Sequence, residues 1–125
     1  MLVTGALGQI GSELLPALKE RYGAEFVIVS DVRVGPIADD PLFEVVDCTQ
    51  RAQIQDVVQR HDAGRIYHLA SMLSATAEER PQAAWDINMG GVYHVLEVAR
   101  QNRCAVFLPS WIGAFGPSTP RDAIP

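Results

Sequence analysis

The chain has 125 residues, 48% of them hydrophobic, and a formal net charge of -5 at pH 7. This length supports one domain, and the hydrophobic fraction is sufficient to bury a core. Nucleic acids and anionic membranes bind clustered Lys and Arg side chains, and the ten basic residues here form no cluster. No segment is long and apolar enough to span a bilayer, and the first residues lack the basic region of a signal peptide. We therefore expect a cytoplasmic protein that binds neither nucleic acid nor membranes.

The cysteines and histidines do not predict a metal site. Cys48 and Cys104 lie far apart and outside any CxxC pattern, which favours reduced thiols over a disulfide or metal ligands. His61, His68 and His94 also lack metal-ligand spacing, so each is interpreted as an ordinary polar or core histidine.

The first predicted elements are a strand, a glycine-rich turn and a helix. Two apolar residues at positions 2 and 3 are typical of a strand, and Gly5, Gly8 and Gly11 follow with the spacing Gly-x-x-Gly-x-x-Gly. The first two glycines permit a tight turn close to a phosphate, and the third lets the helix pack closely against the strand. The N-terminus of the helix then presents free amide groups and the positive end of its dipole to a diphosphate.

An amphipathic helix and a second strand come next. Leucines at positions 14, 15 and 18 recur at helical spacing, and the helix is predicted to end at Gly23. Residues 25–30 predict the second strand, which ends at Asp31, twenty residues after Gly11. At this distance a carboxylate reaches the ribose hydroxyls of a dinucleotide bound to the glycine turn. The alternative is a plain glycine turn beside an ordinary strand-end Asp.

The third strand and second helix are shorter. Residues 43–46 predict a strand that ends at Asp47, and Thr49 is predicted to cap the following helix. The buried stripe of this helix consists of Ile54, Val57 and Val58.

The last predicted elements are two strands joined by a long helix. Residues 66–70 form the fourth strand, and the polar run 71–76 after it lies at the carboxyl edge of the sheet, where ligands bind. Residues 81–102 predict a helix with Gly90 and Gly91 in its middle. Because each glycine costs a helix about 1 kcal/mol relative to alanine, we expect them to allow close approach to a neighbouring backbone. Residues 105–108 are continuously apolar, which is typical of a parallel strand covered on both faces.

This alternation predicts an α/β fold with a Rossmann-like three-layer α/β/α architecture. Right-handed crossovers order its parallel sheet 3-2-1-4-5, with the fifth strand at the edge. The residues after Pro109 have loop composition without a sixth strand, so the fold is expected to be incomplete at the C-terminus. Residues 1–125 are interpreted as one nucleotide-binding domain.

Four separated motifs resemble the extended short-chain dehydrogenase/reductase family, which comprises NAD-dependent epimerases, dehydratases and dehydrogenases. They are the glycine turn, Asp31, the run His68-Leu69-Ala70-Ser71, and Asn88. The phrases Met72-Leu73-Ser74-Ala75 and Ile112-Gly113-Ala114-Phe115-Gly116-Pro117 are similar to its short-chain L-threonine 3-dehydrogenase branch in particular. The similarity covers the whole chain but only the amino-terminal part of such an enzyme.

The resemblance implies NAD as the cofactor. It puts the diphosphate over the glycine turn, the adenosine ribose on Asp31, and the adenine amino group near Asp47, for which a solvated strand-end carboxylate is the alternative. A carboxylate at Asp31 repels a 2′-phosphate and so favours NAD over NADP, whereas the nearby Arg33 could accommodate that phosphate. The cofactor-binding residues implied in this way are Gly5, Gly8, Gln9, Ile10, Gly11, Asp31, Arg33, Asp47, Leu69, Ala70, Ser71 and Asn88.

The resemblance also implies roles on the substrate side. The backbone of residues 69–71 would line the inner ribose and nicotinamide, and Ser74 would contact the amino-acid substrate, with a loop hydroxyl bonded to backbone as the alternative. Asn88 would help to hold a catalytic lysine through water, and a structural role in the helix is its alternative.

Two departures from the family pattern concern catalysis. A Ser or Thr after the fifth strand bonds the reacting hydroxyl in the resembled enzymes, and the alignment puts Trp111 there. An indole accepts no hydrogen bond, so either Ser110 substitutes or the site is impaired. The general base would be the tyrosine of a Tyr-x-x-x-Lys segment, which the chain does not contain. Because Met1 also stands almost inside the first strand, we expect a truncated product or fragment that at best binds nucleotide.

The whole enzyme is expected to convert L-threonine and NAD to 2-amino-3-oxobutanoate and NADH. Within the same family the alternative is a sugar-nucleotide epimerase or dehydratase, and outside enzymes it is a non-catalytic nucleotide-binding module. A homodimer is expected for the full-length enzyme, and a mitochondrial location if the source is eukaryotic.

Overall fold

The protein contains a sheet of five parallel strands in the order 3-2-1-4-5. The computed structural model describes residues 1–110, with the side chain of Ser74 excepted. In chain order the strands are β1 (Leu2–Thr4), β2 (Ile28–Asp31), β3 (Phe43–Val45), β4 (Arg65–His68) and β5 (Ala105–Phe107). All neighbouring pairs are parallel. The predicted strand order and Rossmann-like fold class are therefore confirmed.

The connections between the strands contain the helices. They are α1 (Gln9–Tyr22), α2 (Arg51–Arg60), α3 (Ser74–Glu79), α4 (Pro81–Trp85) and α5 (Gly91–Asn102). A π-helical turn, Asp86–Gly90, joins α4 to α5, so that residues 81–102 form the one long helix that the sequence predicted. None of the helices in residues 1–110 combines the length and apolar character needed to cross a membrane.

Helices cover both faces at the centre of the sheet. Leu2 and Val3 are each 0% exposed, because neighbouring side chains on a strand alternate between the two faces and both faces are packed. The face with α1 buries Val3, Leu15, Leu18, Val27 and Val29. The face with α2 and α5 buries Leu2, Ile54, Val57, Val58, Ile66, Val95 and Val98.

Strand β5 is less covered than its composition indicates. It lies at the sheet edge, where Val106 packs against the α2 and α5 face while Phe107 remains 49% exposed beside Tyr67. The prediction of a strand covered on both faces is therefore wrong for residues 105–107 within the described chain. The predicted edge position is confirmed.

Two local predictions are wrong for identifiable reasons. The second strand begins at Ile28, because Ala24–Phe26 forms a 3-10 turn after Gly23 has ended α1. Thr49 does not cap α2, which begins at Arg51. Its hydroxyl instead donates to Oδ1 of Asp47 at 2.7 Å.

The helical glycines are not explained by close backbone contact. A Cβ atom on Gly90 would meet no atom of residues 1–110 within 4 Å, its own helical turn apart. One on Gly91 would lie 3.4 Å from Cβ of Cys48 and 3.6 Å from Nε2 of His68, which are side-chain contacts of ordinary length. The expectation of a backbone approach is thus wrong. These glycines lie at the π-helical turn, and such turns are frequent at functional sites.

Candidate functional site

The turn between β1 and α1 requires glycine at its first position. Gly5 has φ +68°, a conformation that L-residues adopt at a cost, and a Cβ atom there would lie 2.5 Å from the backbone N of Ala70. The carbonyl of Gly5 accepts a hydrogen bond from the N–H of Gly8 at 3.0 Å. The turn therefore packs directly on the residue that follows β4.

Helix α1 begins at this turn and lies close to it. A Cβ atom on Gly11 would come within 2.4 Å of the carbonyl oxygen of Ala6, so only glycine allows this approach. Gly8 is the N-cap residue and supplies no side-chain cap. The amide groups of Gln9 and Ile10 belong to the first helical turn, in which no carbonyl four residues earlier can accept their protons. These amides and the positive helix end form a surface that suits an anion.

Asp31 lies at the end of β2 and is 3% exposed. Its Oδ2 accepts the N–H of Leu7 at 3.0 Å, and its Oδ1 accepts the N–H of Arg33 at 3.0 Å and the Nε–H of Arg33 at 3.1 Å. Burial raises the pKa of this carboxyl, but the hydrogen bonds from Arg33 and Leu7 outweigh burial and hold the pKa below its ordinary value. Asp31 is therefore an ionised acceptor tied to the glycine turn.

Asp47 follows β3 and lies beside the same crevice. Its Oδ1 accepts the N–H of Thr49 at 2.9 Å and the Thr49 hydroxyl at 2.7 Å. These bonds order the turn into α2, which agrees with the structural interpretation of this residue. Its expected contact with adenine stays a prediction.

A cavity of about 570 Å³ runs along the carboxyl edge of the sheet and joins these features. Its volume is within the range of small-molecule sites. The chemistry of its lining fits a dinucleotide, because the free amides of α1 and the Asp31 carboxylate occur in one crevice. The predicted cofactor residues that line it are Gly5, Gly8, Gln9, Ile10, Gly11, Asp31, Arg33, Asp47, Leu69, Ala70 and Ser71.

Asn88 and Ser110 line a second, adjoining cavity of about 540 Å³. The two cavities share Ile10, residues 69–71 and Leu73. Asn88 does not line the first cavity, but the second cavity brings it together with Ser110 and with the predicted cofactor residues Ile10 and 69–71. Trp111 and the phrase 112–117 lie outside the described residues, as does the side chain of Ser74.

The Asn88 side chain holds the loop after β4. Its Oδ1 accepts the N–H of Met72 at 2.7 Å, and its Nδ2 donates to the Met72 carbonyl at 3.1 Å. Asn88 lies in the π-helical turn, so its side-chain amide links this turn to the loop after β4. The sequence did not predict Met72 as its partner, and the expected role toward a lysine stays a prediction.

A buried pair under the crevice was also missed by sequence reasoning. Oγ1 of Thr4 and Nδ1 of His68 are 2.7 Å apart, and His68 is 2% exposed. Nε2 of His68 has no hydrogen-bond partner among residues 1–110. Burial lowers the pKa of His68 to about 4, so the imidazole is neutral at pH 7. No group of three His, Cys, Asp or Glu side chains that could bind a metal occurs in this part of the chain.

The fold and the crevice define a Rossmann-like α/β protein with an anion-binding helix end opposite a strand-end carboxylate. The sequence model of the NAD dependent epimerase/dehydratase family matches residues 1–123. The chain belongs to that family, and the resemblance that its motifs indicated is confirmed.

Individual relatives include proteins of two activities. An uncharacterized epimerase/dehydratase of Staphylococcus epidermidis is 46% identical over 129 positions, which cover 100% of this chain and 40% of that protein. The L-threonine dehydrogenase of Clostridium difficile has a TM-score of 0.89 and 44% identity, covering 98% of this chain and 41% of that one. The UDP-glucose 4-epimerase of Thermus thermophilus, solved with NAD, has a TM-score of 0.70 and 27% identity, covering 82% and 34%. This chain therefore spans 40% of the curated relative's length.

Proposed function

We propose that residues 1–125 are the NAD-binding portion of an oxidoreductase resembling L-threonine 3-dehydrogenase. The observation that carries the proposal is that the uncapped first turn of α1 and the Asp31 carboxylate line one cavity. Amide groups at a helix end favour a diphosphate, and a carboxylate accepts hydrogen bonds from a ribose diol. Both features would therefore contact the adenosine half of one dinucleotide.

Each part of the crevice has a proposed role. Gly8, Gln9 and Ile10 hold the diphosphate through backbone amides, and Asp31 fixes the adenosine ribose. Residues 69–71 connect the first cavity to the second. In the second cavity, the Asn88 amide hydrogen-bonds the Met72 backbone and so fixes the conformation of the loop after β4. Ser110 contributes an exposed hydroxyl to the same cavity.

In the proposed reaction, bound NAD supplies the acceptor for the hydride that leaves C3 of L-threonine as its 3-hydroxyl loses a proton. Ser110 would hydrogen-bond that hydroxyl from the second cavity, and Ser74 would contact the amino acid. The family likeness assigns the proton to the tyrosine of a Tyr-x-x-x-Lys segment, which the 125 residues do not contain. The chain alone is therefore proposed to bind NAD without turnover. A cytoplasmic location and a homodimer of the full-length enzyme belong to the same proposal.

Isothermal titration of NAD into the purified chain tests the cofactor proposal. Wild-type protein is expected to bind, and Asp31→Asn to weaken binding by about tenfold, the size of a hydrogen bond to a charged acceptor. Asp56→Asn is the matched control, because Asp56 also pairs with an arginine but lies on the exposed face of α2. Binding that is unchanged in Asp31→Asn contradicts the proposed ribose contact.

A sugar-nucleotide epimerase or dehydratase is the second candidate, supported by the likeness to an NAD-bound UDP-glucose 4-epimerase. The two activities are separable after the carboxyl part of a related threonine dehydrogenase is joined to this chain and Trp111→Ser is introduced. We expect NADH formation with L-threonine. Turnover of a UDP-sugar alone would replace the threonine proposal, and NAD binding without either activity would favour a non-catalytic module.

A further inference from the structure

A buried pair of side chains joins the glycine turn to the loop after β4, residues 69–73. Thr4 and His68 are the register partners at which β1 and β4 end, and both side chains point to the face of the sheet that α2 and α5 cover. Oγ1 of Thr4 and Nδ1 of His68 lie 2.7 Å apart. The carbonyl of Thr4 also accepts the N–H of Leu69 at 3.0 Å. The loop therefore begins at a point fixed to both strand ends.

The start of α5 packs on this pair. Gly91 is buried, and a Cβ atom on it would lie 3.6 Å from Nε2 and 3.7 Å from Cε1 of the His68 ring. In the next turn of α5, Nδ1 of His94 donates to the carbonyl of Cys48 at 3.0 Å. Because Gly91 has no side chain, the start of α5 lies directly against the imidazole. The position of the His68 ring thus limits how closely α5 can approach the sheet.

The π-helical turn directly before α5 connects this contact to the second cavity. Asn88 lies in that turn and hydrogen-bonds both backbone groups of Met72. The loop after β4 is therefore held at its start by Thr4 and near its end by Asn88. Residues 69–71 lie between these two attachments and line both cavities. His68 contacts the elements that make both attachments.

The imidazole has one tautomer in which the donors around it are satisfied. Nε2 of His68 has no partner among residues 1–110, and buried N–H groups without an acceptor are rarer than unpaired acceptors. With its proton on Nδ1, the ring donates to Oγ1 of Thr4, which leaves the Thr4 hydroxyl free to donate to Cys48. Burial raises the pKa of the Cys48 thiol to about 11, against the bond from Thr4 that lowers it. This arrangement favours the Nδ1-protonated ring.

We propose that His68, as the neutral tautomer protonated on Nδ1, is a positioning residue for the second cavity. The bond to Thr4 fixes the ring, the ring fixes the start of α5, and the π-helical turn then places Asn88 against Met72. The pair thereby keeps residues 69–71 where they would line the nicotinamide half of a bound dinucleotide. This inference rests on the proposed function and deepens it, because it names the residue that shapes the wall between the two cavities.

Two variants at position 4 and a neighbouring control test this role by NMR of the isotopically labelled chain. Thr4→Val removes the hydroxyl, whereas Thr4→Ser keeps it. Ser30→Ala is the matched control, because Ser30 is the register partner of Thr4 on β2, is fully buried, and donates its hydroxyl to the carbonyl of Val3 instead of contacting a histidine. Circular dichroism checks that all the chains are folded.

The wild type is expected to show the ring carbon and nitrogen shifts of an imidazole protonated on Nδ1 at pH 7. Thr4→Val should move the side-chain amide signals of Asn88 and accelerate amide exchange at Met72 by about fivefold, the effect of one net hydrogen bond. Thr4→Ser should restore both. Ser30→Ala should change neither, even where it lowers global stability, because a loop amide exchanges by local opening.

The possible failures are distinguishable. A wild-type His68 protonated on Nε2 refutes the proposal, and this measurement decides it even if Thr4→Val does not fold. Unchanged exchange at Met72 in Thr4→Val, or equal acceleration in Ser30→Ala, refutes it as well. If NAD added to the same wild-type sample does not bind, the proposed function fails and with it the nicotinamide wall, while the tautomer and exchange results still support or refute the hold of His68 on the loop.

Discussion

Replacement of Gly5 by alanine tests whether the glycine turn is built against β4 as described. Gly5 has φ +68°, and the added Cβ atom would lie 2.5 Å from the backbone N and 2.7 Å from Cα of Ala70. The left-handed conformation costs an L-residue about 1–2 kcal/mol. The contact with Ala70 is backbone and cannot rotate away, so overpacking adds about 1–3 kcal/mol.

The expected loss for Gly5→Ala is therefore about 3 kcal/mol in the free energy of unfolding. For a domain of this size it corresponds to a fall of roughly 12 °C in Tm. Urea unfolding followed by circular dichroism at constant pH measures the first quantity, and thermal unfolding the second.

Gly90→Ala is the matched control for this substitution. Gly90 has φ -62°, and beyond its own helical turn its Cβ would meet no atom of the described chain, residues 1–110, within 4 Å. Alanine there is expected to raise stability by about 0.5–1 kcal/mol, because it reduces the entropy of the unfolded chain. If Gly5→Ala were as stable as wild type, the close packing of the turn on Ala70 would be refuted.

Two further predictions concern buried polar groups. Because burial lowers the pKa of His68 from 6.5 to about 4, the unfolded chain binds more protons between these values, and stability should fall by about 2 kcal/mol from pH 7 to pH 5. Urea unfolding at both pH values measures this loss, and a His68→Gln variant that keeps it would refute the assignment. Asn88→Ala removes two hydrogen bonds to Met72 and should cost about 2 kcal/mol and accelerate amide exchange at Met72. Asn102→Ala, which also loses two side-chain bonds, should leave that exchange unchanged.

The sequence predicted the sheet order and the first cavity because both depend on local patterns. Gly5 and Gly11 occupy positions that only glycine satisfies, and the alternation of strands and helices limits the topology. The long helix was likewise predicted from its periodicity, although its π-helical turn was not.

The missed features depend on tertiary register. Thr4 and His68 are 64 residues apart and pair because β1 and β4 align them in the parallel ladder. Asn88 lies in the π-helical turn and reaches Met72, which is 16 residues away in the sequence. No local sequence pattern predicts these two long-range contacts. Composition did not predict the exposure of Phe107 in β5, which lies at the edge of the sheet.

The central claim is that backbone amides at the start of α1 bind the diphosphate of a dinucleotide. The most direct measurement is the change in amide chemical shifts of the isotopically labelled chain as NAD is added. The largest changes are expected at Gly8, Gln9, Ile10 and Gly11, together with Arg33, and little change at the C-terminal end of α2. Shifts that centre on α2 or α5, with the α1 amides unmoved, would contradict the account.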